Sequence, residues 1–87
     1  MTTRESMDHF IRQCEETLRF AEEQLEERQR QEHYNDEEFT QALQLLENQY
    51  NELAKMSLFA NDQQREQLHR MRLRLQQIQN DMIIGVR

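Results

Sequence analysis

Histidine, cysteine and clustered carboxylates are the residues with which this chain could do chemistry, and each grouping has an alternative without chemistry. His33, Asp36 and Glu37 lie near one turn, and imidazole with carboxylates is a donor set suited to zinc or manganese. Structural zinc needs about four ligands in closed geometry, and helical catalytic zinc sites place two His residues on one face. Neither arrangement occurs, so these residues read as a solvated turn and no metal is expected. The paired acids Glu15-Glu16, Glu22-Glu23 and Glu26-Glu27 suggest di-iron carboxylate bundles, but those require Glu-x-x-His motifs turned inward, and none is present. A charged helix surface accounts for them without a cofactor.

Cys14 falls between Ile11 and Leu18 on an apolar seam, where burial raises a thiol pKa and quiets its nucleophilicity. Packing is its expected role. His9 and His69 have no Ser or Cys at a suggestive spacing and read as surface or boundary residues. Arg65, Arg70, Arg72 and Arg74, with His69, form the one grouping that could contact phosphates. On a helix Arg65 and Arg72 point one way and Arg70 and Arg74 another, with no interleaved aromatic residues to stack bases. Pairing with acidic neighbouring helices is the favoured role of these arginines, because opposite charges beside a seam help align helices.

The elements that must position these groups are helices. With no Pro, a single Gly and an abundance of Glu, Gln, Leu and Arg, the 87-residue chain is built from residues that lose little rotamer freedom in a helix. At this size one thin core is the most that can form. A hydrophobic share of 36% against 32% charged suits helices joined along narrow seams and leaves little interior for a substrate. The net charge of -6 is uneven: residues 1–61 sum to -8 and residues 62–87 to +2. Opposite signs on different helices most often serve mutual recognition within the fold or with a copy of itself. The single cysteine and the lack of a signal-like or spanning apolar stretch make the cytoplasm the expected compartment. The short apolar run Met82-Ile83-Ile84-Gly85-Val86 reads as a helix end or a sticky tail.

Spacing sets the architecture. Met7, Ile11, Cys14, Leu18, Ala21 and Leu25 recur in alternating steps of four and three, a heptad seam on a helix over about 3–33. Tyr34-Asn35-Asp36 tolerates a turn, and Asn35 with Glu38 has the form of a capping box. A second helix, about 36–60, aligns Phe39, Leu43, Leu46, Tyr50 and Leu53, with Ala42, Leu45, Met56 and Phe59 widening the face. Asn61 with Gln64 repeats the capping logic before a third helix, about 62–84, whose seam is Leu68, Met71, Leu75, Ile78 and Met82. Short connections favour antiparallel neighbours, so the expected fold is one all-α domain over residues 1–87, an antiparallel three-helix bundle with coiled-coil-like packing. A long helical hairpin that dimerises is the competing architecture. Within the bundle, Phe10 and Phe20 share a flank that should close on Leu45, Met56 and Phe59, with Arg74 near the height of Glu22.

The stretches from Arg30 to Thr40 and from Asn61 to Met71 resemble the YtzC-like family of small uncharacterised proteins from Bacillus and its relatives. The likeness spans nearly the whole chain, rests on length and these two turn regions, and brings no active-site residue with it. It implies a bacterial, cytoplasmic, helical protein of unassigned function.

The expected role is accordingly that of a non-enzymatic interaction module or regulator, presenting a helical face to another protein or to a second copy. Leu73 and Ile84, on the side of the third helix opposite its seam, are the expected partner surface. The alternative is nucleic-acid binding through Arg65, Arg70, Arg72 and Arg74. No cofactor and no membrane contact are expected.

Overall fold

Thr3 starts the first helix. Its Oγ1 accepts the Ser6 backbone N–H at 3.1 Å and its carbonyl accepts the Met7 N–H at 3.0 Å, satisfying two donors that a helix start leaves open. The computed structural model describes the backbone of residues 3–30 and 36–84, with side chains for 3–27 and 37–84. It contains α1 (Arg4–Arg30), α2 (Asp36–Ser57) and α3 (Asp62–Ile84), and no strand among the described residues. Each helix packs on both others, so the bundle is all-α and three-membered. The chain runs up, down and up; α2 is antiparallel to its neighbours, and α1 and α3 run side by side in the same direction. The molecule extends 45 × 19 × 15 Å, the long dimension being that of α1.

The core takes residues from every helix, with Leu46, Leu68 and Leu75 fully enclosed. Each such leucine contributes about 1.5–3 kcal/mol relative to an exposed position. The α3 seam is the expected one: Leu68, Met71, Leu75, Ile78 and Met82 are all buried. The α1 seam is widened: Met7, Cys14, Leu18 and Ala21 are buried as expected. Phe10, Thr17 and Gln24 are buried, whereas Ile11 and Leu25 are half-buried against the core. Because α1 meets two helices, its buried arc is wider than a two-helix seam and extends onto the flank that faces α2.

A second difference concerns the end of α2, which stops at Ser57 and not near residue 60. Ser57 Oγ donates to the Leu53 carbonyl at 3.0 Å, and the Leu58 and Phe59 N–H groups bond three residues back to Lys55 and Met56, tightening the last turn. The Ser57 carbonyl accepts from Arg65 Nε at 3.3 Å, which ties the end of α2 to the start of α3. Helical phase is lost after Ser57, so Phe59 leaves the face it was expected to widen and is 63% exposed. Ala60 then turns into the core.

The next helix begins with the expected box. Asn61 Oδ1 accepts the Gln64 N–H at 2.8 Å, and Gln64 Oε1 accepts the Asn61 N–H at 3.0 Å. Asn61→Ala is expected to cost about 1 kcal/mol in denaturant unfolding, while Asn61→Asp, which keeps the acceptor, costs less. The corresponding box at Asn35, the turn at Tyr34 and the extension of α1 to residue 33 lie outside the described residues.

Phe20 is half-buried and packs against the core, as do Leu25, Leu43 and Met56, while Phe10 is buried. The aromatic flank therefore closes without Phe59. Phe20→Ser is expected to lower stability by about 1–2 kcal/mol through lost apolar burial. An unchanged unfolding midpoint would instead make Phe20 a surface residue available to a partner.

Candidate functional site

Because α3 lies between two neighbours, a groove runs along each of its flanks, and its arginines divide between them. On the α2 side, Arg65, His69 and Arg72 line a groove with Tyr50, Leu53 and Ala54. Arg72 is half-buried there, with Nη2 at 3.5 Å from His69 Nδ1, and Arg65 lies within 4.0 Å of Asp62. On the α1 side, Arg70 pairs with Glu66 at 3.0 Å, one turn back on the same exposed helix face. Arg74 lines the other groove together with Glu22. The pairs formed by Arg65 and Arg70 are thus local to α3 and not made with the acidic helices, because i, i+3 and i, i+4 partners are already within reach. Such exposed pairs contribute little to stability.

The α1–α3 groove has an apolar floor of Leu18, Leu25, Leu73 and Ile78. Leu18 and Ile78 belong to the core, Leu25 is half-buried, and Leu73 is 49% exposed, so the strip grades from interior to surface. Glu22 and Glu26 rim it from α1 and Arg74 and Asp81 from α3. Asp81 accepts from Gln77 Nε2 at 3.2 Å. Ile84, the other expected surface residue, lies one further stretch along α3 and is 73% exposed. Ile83, Leu58 and Phe59 are exposed as well. The last two were absent from the surface read in the sequence; the signal for them was Asn61, whose capping role requires the preceding residues to leave the helix.

Cys14 is fully enclosed, and its thiol lies 3.4 Å from Gln49 Oε1. Burial, reinforced by the nearby Glu15 carboxylate and opposed by Arg74, pushes its pKa from 9.0 to about 12. Such a thiol is protonated and shielded at neutral pH. His9, Glu15, Glu16, Glu22, Glu23, Glu26 and Glu27 are exposed. No group of three or more His, Cys, Asp or Glu side chains that could hold a metal occurs among the described residues; His33 and the side chain of Asp36 lie outside them, and Glu37 is exposed. Among the described residues no helix is long and apolar enough to cross a membrane.

Polar side-chain contacts reach the core between α1 and α2. Besides Cys14 and Gln49, the buried Gln24 donates from Nε2 to Glu38 Oε2 at 3.2 Å, and Thr17 is buried between them along α1. No buried side-chain nitrogen or oxygen among the described residues lacks a hydrogen-bond partner.

The chain is 52% identical over 84 residues to the uncharacterised protein YtzC of Bacillus subtilis (strain 168), covering 97% of this chain and 93% of the relative. No solved structure matches it. Residues 1–84 match the family described as "Protein of unknown function (DUF2524)", and with that match spanning α1 through α3, the chain belongs to this family.

Proposed function

We propose that the protein is a non-enzymatic interaction module or regulator of the cytoplasm, which acts by presenting a helical face to another polypeptide. The observation that carries this reading is the α1–α3 groove, where Leu73 is 49% exposed beside an apolar floor continuous with the core. Apolar surface gathered in a groove and rimmed by charge suits an amphipathic helix laid into it. The quiet thiol of Cys14 and the shallow, open character of the helix flanks support a binding role over a catalytic one.

The test is affinity capture from the native organism with the intact chain and with Leu73→Asp. Stoichiometric recovery of a protein by the first and its loss with the second supports the reading; identical recoveries, or none, count against it.

Nucleic-acid binding through α3 is the second reading. Its specific support is the gathering of Arg65, His69 and Arg72 around Tyr50 in the α2–α3 groove. Arg70 and Arg74 lie on the opposite flank, so a single strand tracking one groove meets only part of the cluster. Titration of labelled RNA and DNA at two salt concentrations decides it: affinity that falls steeply with salt supports binding, and no binding at low salt removes it.

A further inference from the structure

The α2–α3 groove differs in charge from the groove beside α1, which is rimmed by Glu22, Glu26 and Asp81. Arg65, His69 and Arg72 recur at helical spacing on α3 and form one stripe, about 10 Å long at 1.5 Å per residue. The stripe continues into the uncharged Gln76 and Gln79. Tyr50, Leu53, Ala54 and Ser57 line the groove from α2, and no carboxylate among the described residues lines it.

One contact sets the register of the two helices: Arg65 Nε donates to the Ser57 carbonyl at 3.3 Å. Because α2 and α3 are antiparallel, an equal count of residues back along α2 and forward along α3 brings Tyr50 level with Arg72, and Leu53 level with His69. All four line the groove, as that register requires.

The donors along the groove are unevenly committed. Arg65 is held by Ser57 and lies 4.0 Å from Asp62. Arg72 is half-buried, its Nη2 stands 3.5 Å from His69 Nδ1, and it forms no ion pair among the described residues. A guanidinium carries five N–H donors and no acceptor, so one imidazole nitrogen leaves most of them unmet. The acids on the flanking turns do not supply the acceptor. Glu52 pairs with Lys55 and Glu66 with Arg70, while Glu47 is exposed and does not line the groove. The uncommitted donors therefore gather in one turn, at Tyr50, His69 and Arg72.

That gathering selects a ligand. One turn holds a single oxyanion and not the successive phosphates of a strand. Guanidinium and imidazole come from α3 and a hydroxyl from α2, an arrangement suited to the several oxygens of a tetrahedral group more than to the two of a planar carboxylate. Leu53 and Ala54 add apolar surface beside it.

We propose that the α2–α3 groove binds the phosphate monoester group of a small molecule, with Arg72, His69 and Tyr50 on its oxygens and the apolar body of the ester against Leu53 and Ala54. The site lies on a different groove from the interaction surface proposed above and is independent of it.

Two-dimensional NMR of the full chain, titrated in low salt with phenyl phosphate, inorganic phosphate and benzoate to about 20 mM, provides the test. Phenyl phosphate should give saturable shifts confined to the surroundings of Tyr50, His69 and Arg72. Inorganic phosphate, which lacks the apolar body, should bind more weakly, and benzoate more weakly than phenyl phosphate. Arg72→Gln should weaken phenyl phosphate binding at least about tenfold with helicity intact by circular dichroism. Tyr50→Phe should weaken it less, and Arg70→Gln, on the opposite flank, should leave it unchanged.

Absence of saturation at the top of that range overturns the proposal, as do shifts spread over every arginine, equal losses from Arg70→Gln and Arg72→Gln, or benzoate binding as tightly as phenyl phosphate. A labelled single strand of DNA that binds more tightly than phenyl phosphate and loses affinity equally with both arginine variants overturns it in favour of the nucleic-acid reading. Protein capture through Leu73 is unaffected by any of these results, so the two readings fail separately.

Discussion

Leu46→Ala is expected to lower the unfolding free energy by about 2–5 kcal/mol, against less than about 0.5 kcal/mol for Glu27→Ala. Leu46 is fully enclosed in the middle of α2, with Ala42 and Leu53 buried on the same face. Truncation removes its dispersion contacts and leaves a cavity that rigid helices on two sides fill poorly. Glu27 is exposed near the end of α1 and loses only solvated contacts. Urea unfolding of both variants with an unchanged m-value gives the comparison directly. Equal effects would mean that α2 presents a different face to the core.

Cys14 gives the second large effect, read in thiol chemistry and in pH. At pH 8 the native thiol is expected to react with an aromatic disulfide at least about a hundredfold more slowly than the thiol of the unfolded chain, because reaction must await an opening of the bundle. Equal rates in buffer and in denaturant would place Cys14 at the surface. The pH dependence has a definite sign. Folding raises the thiol pKa from 9.0 to about 12, chiefly through burial. Between those values the unfolded chain has released the proton while the native one retains it. The contribution to stability is therefore complete below about pH 9 and is lost as pH climbs toward 12. Other groups also titrate in that range, so the comparison is with Cys14→Ala, whose stability should decline less steeply over the same window.

The α3 seam was legible residue for residue, because its five buried positions recur at heptad spacing and only Leu73, Ile83 and Ile84 are apolar elsewhere on that helix. The box at Asn61 was equally legible, since capping depends on neighbours within a turn. On α1 the seam residues Met7, Cys14, Leu18 and Ala21 are buried as their spacing implies, and tertiary context adds to them. A one-dimensional pattern favours Ile11 and Leu25, which pack half-buried against the core, and passes over Thr17 and Gln24, which are buried, Gln24 with a hydrogen-bond partner on α2 that spacing does not display. Phe59 was misplaced for a local reason: Asn61, as the cap of α3, signals that the chain leaves α2 before it but not at which residue, and the tightened turn after Ser57 rotates the aromatic ring off the expected face. The division of the four arginines into two pairs on opposite flanks of α3 was readable from helical periodicity. The preference of Arg65 and Arg70 for ion-pair partners on their own helix was not, because reach between helices depends on packing distances.

The polar contacts between α1 and α2 have a consequence for register. Heptad spacing makes the apolar contacts of two long helices nearly periodic, so a slip of seven residues would still present hydrophobic side chains to the interior. The polar pairs have no such repeat. A slip would set Met7 or Ala21 opposite Gln49 in place of Cys14 and carry Gln24 away from Glu38. An enclosed amide deprived of its partner costs about 1–3 kcal/mol, a penalty charged only to misaligned packings. Cys14 and Gln24 thus add little to the depth of the native minimum, but they disfavour its near copies and help give the bundle a single alignment.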